Sequence, residues 1–359
     1  MQYYMPTKLY QEKDAVKKHA QEWCALGTKA LIVTGRSSAK KNGALFDVCD
    51  SLTKQGKTYV IFDEIEENPS VDMVVAASRK GISEEADFVI GIGGGSPLDA
   101  AKAIAFLMYY PEDDAMSLYQ AGKNGALPVV AIPTTCGTGS EVTPYSILTR
   151  KDLNSKGSIP HKIFPAFALV DGAYLAFAPK QVLYNTAVDA LGHCIESYVN
   201  TNATEYSRMF VEKSLKIWAK SKEVFEGKRA AEGSDYENML LASSLAGMAI
   251  TLTGTSLPHG LSYPLTCHLG LAHGAGVGYF QAGYLREADQ KTCEELLGLA
   301  GFSSLEKLDM LIHKLCRFET ISEEMLLLCA NEILSNETKL KNCPFPVDRE
   351  KMLRIVGLE

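Results

Sequence analysis

Asp189 and His193 stand four residues apart in a stretch, Asn185 to Tyr198, whose spacing is helical, so both side chains fall on one face. Further along, His259 and His273 are separated by fourteen residues. Carboxylate and imidazole are hard and borderline donors suited to a divalent ion, and three histidines with one aspartate on facing helical elements make an N3O ligand set. A capped, buried Asp–His pair that serves structure alone has the same spacing, so Asp189 and His193 do not decide the matter by themselves. The small residues Ala242, Ser243, Ser244, Ala246, Gly247 and Ala249 lie just upstream of His259 and would let helices approach closely around such a site. Of the remaining histidines, His19, His161 and His313 occupy polar or loop surroundings and are expected at the surface, and His268 is out of spacing.

A second kind of chemistry is written in glycine. Residues 91–97, Gly-Ile-Gly-Gly-Gly-Ser-Pro, follow a strand and open a helix. Glycine there lets backbone approach a diphosphate, and the unpaired N–H groups and dipole of a helix start favour an anion. A tight strand-to-helix turn needs glycine without any ligand, so the cluster alone is even-handed. A neighbouring turn, Pro133 to Glu141, adds the hydroxyls of Thr134, Thr135 and Thr138 after the next strand. Two such turns at adjacent strand ends favour nucleotide binding over a polar loop bonded to itself. At the end of the first strand the sequence reads Thr34-Gly35-Arg36-Ser37-Ser38-Ala39-Lys40-Lys41. A carboxylate at this kind of position accepts from the adenosine ribose 2′-OH, whereas small residues with cations accommodate a 2′-phosphate. Gly35, Ser37 and Ser38 with Arg36, Lys40 and Lys41 therefore favour NADP(H) over NAD(H), unless the cations merely form a solvated helix face.

The elements that must position these residues divide the chain in two. Strands at 29–34, 58–62, 86–91 and 128–132 alternate with helices at 37–55, 71–79 and 97–109, the pattern of a doubly wound parallel sheet. After Pro179 β-branched runs vanish, and 186–198, 205–222, 236–253, 305–318, 322–334 and 348–356 all read as helices. The expected organisation is an α/β dinucleotide-binding domain over 1–178 and an all-helical metal-binding domain over 179–359. A chain of 359 residues, 46% hydrophobic and 22% charged, has the composition of an ordinary globular protein. Its net charge of −7 argues against nucleic acid or an anionic membrane as partner. No run approaches the ~18–20 apolar residues of a membrane span, and the opening residues lack a secretory layout, so a cytoplasmic protein is expected. Nine scattered cysteines with no Cys-x-x-Cys pair read as free thiols.

Four segments together resemble the iron-containing (group III) alcohol dehydrogenases of the dehydroquinate-synthase-like fold: Gly-Gly-Gly-Ser-Pro-Leu-Asp-Ala-Ala-Lys at 93–102, Pro-Thr-Thr-Cys-Gly-Thr-Gly-Ser-Glu-Val-Thr-Pro at 133–144, Asp-Ala-Leu-Gly-His-Cys-Ile-Glu at 189–196, and the paired histidines 259 and 273. The resemblance runs nearly end to end. It implies that Asp189, His193, His259 and His273 bind one catalytic Fe(II), or zinc or another divalent ion. It implies that Gly94, Gly95, Ser96, Asp99, Thr134, Thr135 and Thr138 line the dinucleotide, with Asn68, Tyr145 and Lys156 as further contacts. The glycine at 35 resembles the NADP-using members.

The chemistry so implied is reversible hydride transfer between NADP(H), or NAD(H), and a primary alcohol or aldehyde such as butanol or propanediol, in a dry cleft between the domains, with the metal as Lewis acid. Many members carry a further histidine four residues after the third ligand, where this chain has Tyr263. Tyr263 is the candidate proton relay. Phe164, Phe167 and Leu257 near the motifs hint at an aliphatic substrate. A glycerol-dehydrogenase-like polyol oxidoreductase and a dehydroquinate-synthase-like lyase are the alternatives. The resemblance also implies a homodimer or larger homo-oligomer.

Overall fold

The computed structural model describes residues 2–153 and 155–358, and the chain divides into two compact units. One spans Tyr4–Ala178. The other starts at Pro179 and includes Tyr3, whose ring lies 5.2 Å from that of Phe210.

The first unit is built on a six-stranded sheet of β1 (Lys8–Gln11), β2 (Lys29–Thr34), β3 (Thr58–Phe62), β4 (Phe88–Gly93), β5 (Val129–Pro133) and, later in the chain, β8 (Phe167–Val170). The order across the sheet is β1-β8-β5-β4-β2-β3, and every neighbouring pair is parallel. Successive residues of a strand point to opposite faces. Leu31, Val33 and Val89 accordingly pack on one side with Val74, Ala101 and Ile104, while Ala30, Ile32, Ile90 and Ile132 pack on the other with Val16, Val48 and Leu52. Both faces are covered, which is why β2, β4 and β5 read as unbroken apolar runs rather than alternating ones. The chain leaves β2 toward β3 on one side and returns through β4 toward β5 on the other. That reversal places the switch point between the carboxyl ends of β2 and β4, where open α/β sheets bind their ligands.

Two departures from the sequence reading belong to this unit. The helix expected over 37–55 is two, Ser38–Lys41 and Ala44–Lys54, because Gly43 adopts φ +85° and the Asn42 side chain accepts from Ala44 N at 3.0 Å, restarting the helix. β1 and β8, four residues each, and an antiparallel hairpin of β6 (Ile147–Arg150) and β7 (Ser155–Ser158) were too short to stand out by pattern.

In the second unit all regular elements among the described residues are helical. The longer ones are Lys180–Tyr198, Glu205–Trp218, Gly233–Thr253, Leu257–Leu269, Gln290–Leu299, Leu305–Cys316 and Glu323–Leu334. Side-chain caps start several of them, including a capping box of Thr204 with Ser207, and Ser304 and Ser322 at later helices. Buried polar groups lock the helices together. Cys194 donates to Ser214 Oγ (3.1 Å), which donates to Ala242 O (2.7 Å), joining three helices through a serine that leaves no bulky side chain between them. Trp218 Nε1 donates to Ala187 O at 2.9 Å. Gly254, at φ +70°, ends the Gly233–Thr253 helix and turns the chain into the one that begins at Leu257. Among the described residues no single helix is long and apolar enough to cross a membrane, and the nine cysteines are free.

Candidate metal centre and nucleotide turns

The Lys180–Tyr198 helix carries Asp189 and His193 one turn apart, facing into the second unit. His259 sits in the first turn of the Leu257–Leu269 helix, where Pro258 is tolerated because an early N–H has no intrahelical partner to lose. His273 opens the short helix His273–Tyr279. Asp189 Oδ1 lies 3.5 Å from His259 Nε2 and 3.7 Å from His273 Nε2. The rings of His193 and His259 stack at 4.4 Å, and His259 and His273 meet edge-on at 5.4 Å. Asp189, His193 and His259 are buried, and His273 is partly open. The structure thus brings together all four residues that the sequence singles out.

The donor atoms fit a shared ion. Ligands about 2.1 Å from a tetrahedral ion stand about 3.4 Å apart, which is the spacing observed around Asp189 Oδ1. Asp189 Oδ1 and His259 Nε2 are moreover buried without a hydrogen-bond partner among the described residues. With Nδ1 against the Glu196 carboxylate, Nε2 faces Asp189 either as the second N–H of an imidazolium or as a lone pair, and two facing lone pairs in a buried site are unfavourable unless a cation lies between them. Burial works to raise the Asp189 carboxyl, but His193, His273 and His259 outweigh it and hold it well below the usual carboxylate range. Burial likewise opposes the His259 imidazolium, yet Glu196 and Asp189 hold it up to about 9. The pocket is built for positive charge.

Glycine sets how tightly the ligand helices approach. A Cβ on Gly274 would lie 1.9 Å from Asn185 O and 3.0 Å from Asp189 Cβ, so the backbone next to His273 rests directly on the Asp189 helix. A residue that sequence reasoning passed over completes the arrangement. Glu196, fully buried, accepts from His259 Nδ1 at 2.5 Å, Ser256 N at 2.7 Å and Gln281 Nε2 at 3.1 Å. Its signal was present, since 189, 193 and 196 share one helical face and an acid there is out of place in a buried stripe. Tyr263 lies one turn beyond His259 with its ring 6.2 Å from that of His273, and the Lys339 ammonium stands 5.9 Å from the Tyr263 ring.

In the first unit the helix Gly95–Tyr109 starts at the end of β4 with no side chain of its N-cap residue, Gly94, bonded to its first N–H groups, the condition an anion at a helix start requires. Gly94 and Gly95 lie so close to Thr135 and Thr138 that a Cβ would come within 2.9 Å of Thr135 Oγ1 or 2.6 Å of Thr138 Cγ2. The two glycine-bearing turns are therefore in contact. Ser96 Oγ accepts from Asn68 N (3.2 Å), and Lys156 donates to Asn68 Oδ1 (2.7 Å), which draws three more of the expected cofactor residues together. Asp99 has a different occupation: its carboxylate accepts from Ser140 Oγ and from Ile147 N (2.8 Å), tying the helix to the loop after β5. The wholly buried Lys102 strengthens that tie by donating to Ser140 Oγ (2.8 Å) and Tyr145 O (2.7 Å), and burial lowers its ammonium to about 8. Tyr145 itself stacks beneath Lys162, 4.2 Å away.

At the β2 end, Gly35 is followed by exposed Arg36, Ser37 and Ser38. The cations there are already paired, Lys40 with Asp63 at 2.5 Å and Arg36 with Glu66 at 3.4 Å, acids delivered by the end of β3. Other expectations are corrected. His161 is buried, its ring nitrogens 3.0 Å from Lys123 O and Ser117 O and its ring stacked 3.9 Å from Phe106, because the segment before β5 folds over it. Phe167 packs in the sheet core, Leu257 is buried at a helix start and Phe164 packs edge-on against Tyr4.

Comparison with known proteins identifies the family. The model for "iron-containing alcohol dehydrogenase" matches residues 6–172, and that for the family's C-terminal domain matches 183–352. The chain belongs to the iron-containing alcohol dehydrogenase family. It is similar to an iron-containing alcohol dehydrogenase of Thermotoga maritima, with 36% identity, a TM-score of 0.90, and coverage of 99% of this chain and 98% of that one. It is 33% identical over 258 residues to the long-chain primary alcohol dehydrogenase AdhA of Thermoanaerobacter ethanolicus, covering 69% of this chain and 63% of that protein. It is also 33% identical over 251 residues to lactaldehyde reductase of Escherichia coli, covering 68% and 64%. The matched region thus spans a little under two thirds of these two relatives. Membership implies a divalent metal and a nicotinamide cofactor.

Proposed function

We propose that this protein is a metal-dependent alcohol dehydrogenase and aldehyde reductase that interconverts a small primary alcohol and its aldehyde, with NADP(H) preferred over NAD(H). The reading rests above all on the facing, unpartnered Asp189 Oδ1 and His259 Nε2 in a buried pocket completed by His193 and His273. When bound, the metal supplies Lewis acidity to the alcohol or carbonyl oxygen, and the nicotinamide supplies or accepts the hydride. The chain's own residues hold and orient. Asp189 contributes the negative charge and the three imidazoles remain neutral donors. The partial opening at His273 would leave one side for substrate, and the Tyr263 ring 6.2 Å from that of His273 supports it as the proton relay. A phenol hydroxyl both donates and accepts a hydrogen bond, so Tyr263 is proposed as a relay rather than as the proton's final acceptor.

For the cofactor, Gly94, Gly95 and Ser96 offer the helix start to the diphosphate, with Thr134, Thr135 and Thr138 opposite and Asn68 with Lys156 alongside. The absence of an acid at Gly35 and the presence of Arg36, Ser37 and Ser38 support a 2′-phosphate. Arg36, exposed and in a 3.4 Å contact with Glu66, is freer to turn to it than Lys40, which stands 2.5 Å from Asp63. The test is kcat/KM for a panel of short and medium aldehydes with NADPH and NADH under anaerobic Fe(II) and under Zn(II). Faster turnover with NADPH supports the reading, and a clear NADH preference refutes the cofactor assignment. Tyr263→Phe is expected to keep its metal and lose rate; unchanged kinetics would remove the relay.

A further inference from the structure

Glu196 has no ligand role in the family resemblance, yet it is wholly buried and its two oxygens take four hydrogen bonds. Its Oε1 receives His259 Nδ1 (2.5 Å) and Gln281 Nε2 (3.1 Å), and its Oε2 receives the backbone N–H groups of Ser256 (2.7 Å) and His259 (3.4 Å). The backbone donors belong to the start of the Leu257–Leu269 helix, so the carboxylate also caps the helix that presents His259. Lys339 is near enough for its charge to act on Glu196, and its ammonium donates to Thr255 Oγ1.

We propose that Glu196 is the positioning residue of the metal centre, fixing His259 in the tautomer that carries its proton on Nδ1 and leaves the Nε2 lone pair aimed at Asp189. A carboxylate only accepts, so the Nδ1 atom against it must donate, and a neutral imidazole then has a bare Nε2. That is the atom left without a hydrogen-bond partner, 3.5 Å from Asp189 Oδ1. Outer carboxylates of this kind orient ligand rings and raise their basicity. This proposal rests on the metal-centre reading above.

Glu196→Gln tests it with little change of shape. If the amide oxygen keeps the Ser256 N–H, the NH2 group faces His259 Nδ1, which must become the acceptor. The ring proton moves to Nε2 and points where the ion belongs. Zn(II) affinity, measured on the full-length metal-free protein against a chromophoric chelator, is expected to fall by roughly 10–100-fold. Unchanged affinity overturns the proposal even if the thermal midpoint drops, because a purely structural Glu196 would change stability alone. Should Glu196→Gln not fold, 15N-histidine NMR of the Zn(II)-loaded wild type decides: a protonated Nδ1 at His259 is expected, and a protonated Nε2 overturns the assignment. A wild type that takes up no Zn(II) refutes the metal centre itself, which separates the two failures.

Discussion

Gly274→Ala probes how the ligand helices are set against each other. The added Cβ would lie 1.9 Å from Asn185 O and 2.7 Å from its carbonyl carbon, where real Cβ contacts do not fall below 3.0 Å. The difference means that the backbone carrying His273 must retreat by about 1 Å from the helix carrying Asp189, and the obstacle is main chain, which has no rotamer to yield. Overpacking of this kind costs about 3 kcal/mol, offset by up to ~1 kcal/mol from alanine's better helix propensity. A net loss of about 2 kcal/mol lowers the melting midpoint of a unit this size by about 4–8 °C. Metal–ligand distances tolerate only about 0.2 Å, so a 1 Å retreat removes His273 from the ligand set, and Zn(II) affinity should fall by more than the roughly 10–100-fold cost of losing an outer partner. Calorimetry of the metal-free protein and chelator competition with Zn(II) measure the two effects. A variant matching wild type in both would show that the helices do not meet at Gly274. A lower midpoint with unchanged affinity would detach His273 from the metal.

Gly298, inside the Gln290–Leu299 helix, has nothing within 4 Å of where a Cβ would go, so Gly298→Ala should stabilise by about 0.5–1 kcal/mol in urea unfolding; destabilisation would refute the open surroundings. Lys102 has a folded pKa of about 8 against an ordinary 10.5. Between those values the unfolded chain binds more protons, so wild type should gain about 1.5 kcal/mol relative to Lys102→Met from pH 8 to 9.5, and a flat difference would contradict the burial argument. Gly35→Asp places a carboxylate at the end of β2, 3.2 Å from Ile65 O at its Cβ, and is expected to move the NADH-to-NADPH ratio of kcat/KM at least tenfold toward NADH; an unmoved ratio would mean that the 2′-position is read elsewhere.

The sequence was most legible where chemistry and periodicity coincide. Asp189 and His193 are bound together by helix geometry alone, and β2 and β3 were readable because an apolar run bounded by polar turns has few other fates. His161 was misread because its surroundings in sequence are polar, whereas its surroundings in space are Phe106 and two carbonyls supplied by a segment about forty residues away. The same distance effect hid Asp63 and Glu66, which neutralise Lys40 and Arg36 from the end of another strand. Asp99 shares a motif with the cofactor turn, but only the fold shows its carboxylate bound to Ser140 and Ile147. Glu196 was visible in its helical phase, and its partners, Ser256, His259 and Gln281, were not.

In the proposed function, Asp189, His193, His259 and His273 hold one divalent ion on which the reaction depends. This dependence is tested most directly by metal analysis of the purified protein and of His259→Ala, paired with NADPH-dependent aldehyde reduction by the same samples. About one ion per chain is expected in the wild type after anaerobic loading with Fe(II), and loss of both the ion and the activity in His259→Ala. Full reduction rates from chains carrying no divalent metal would contradict it.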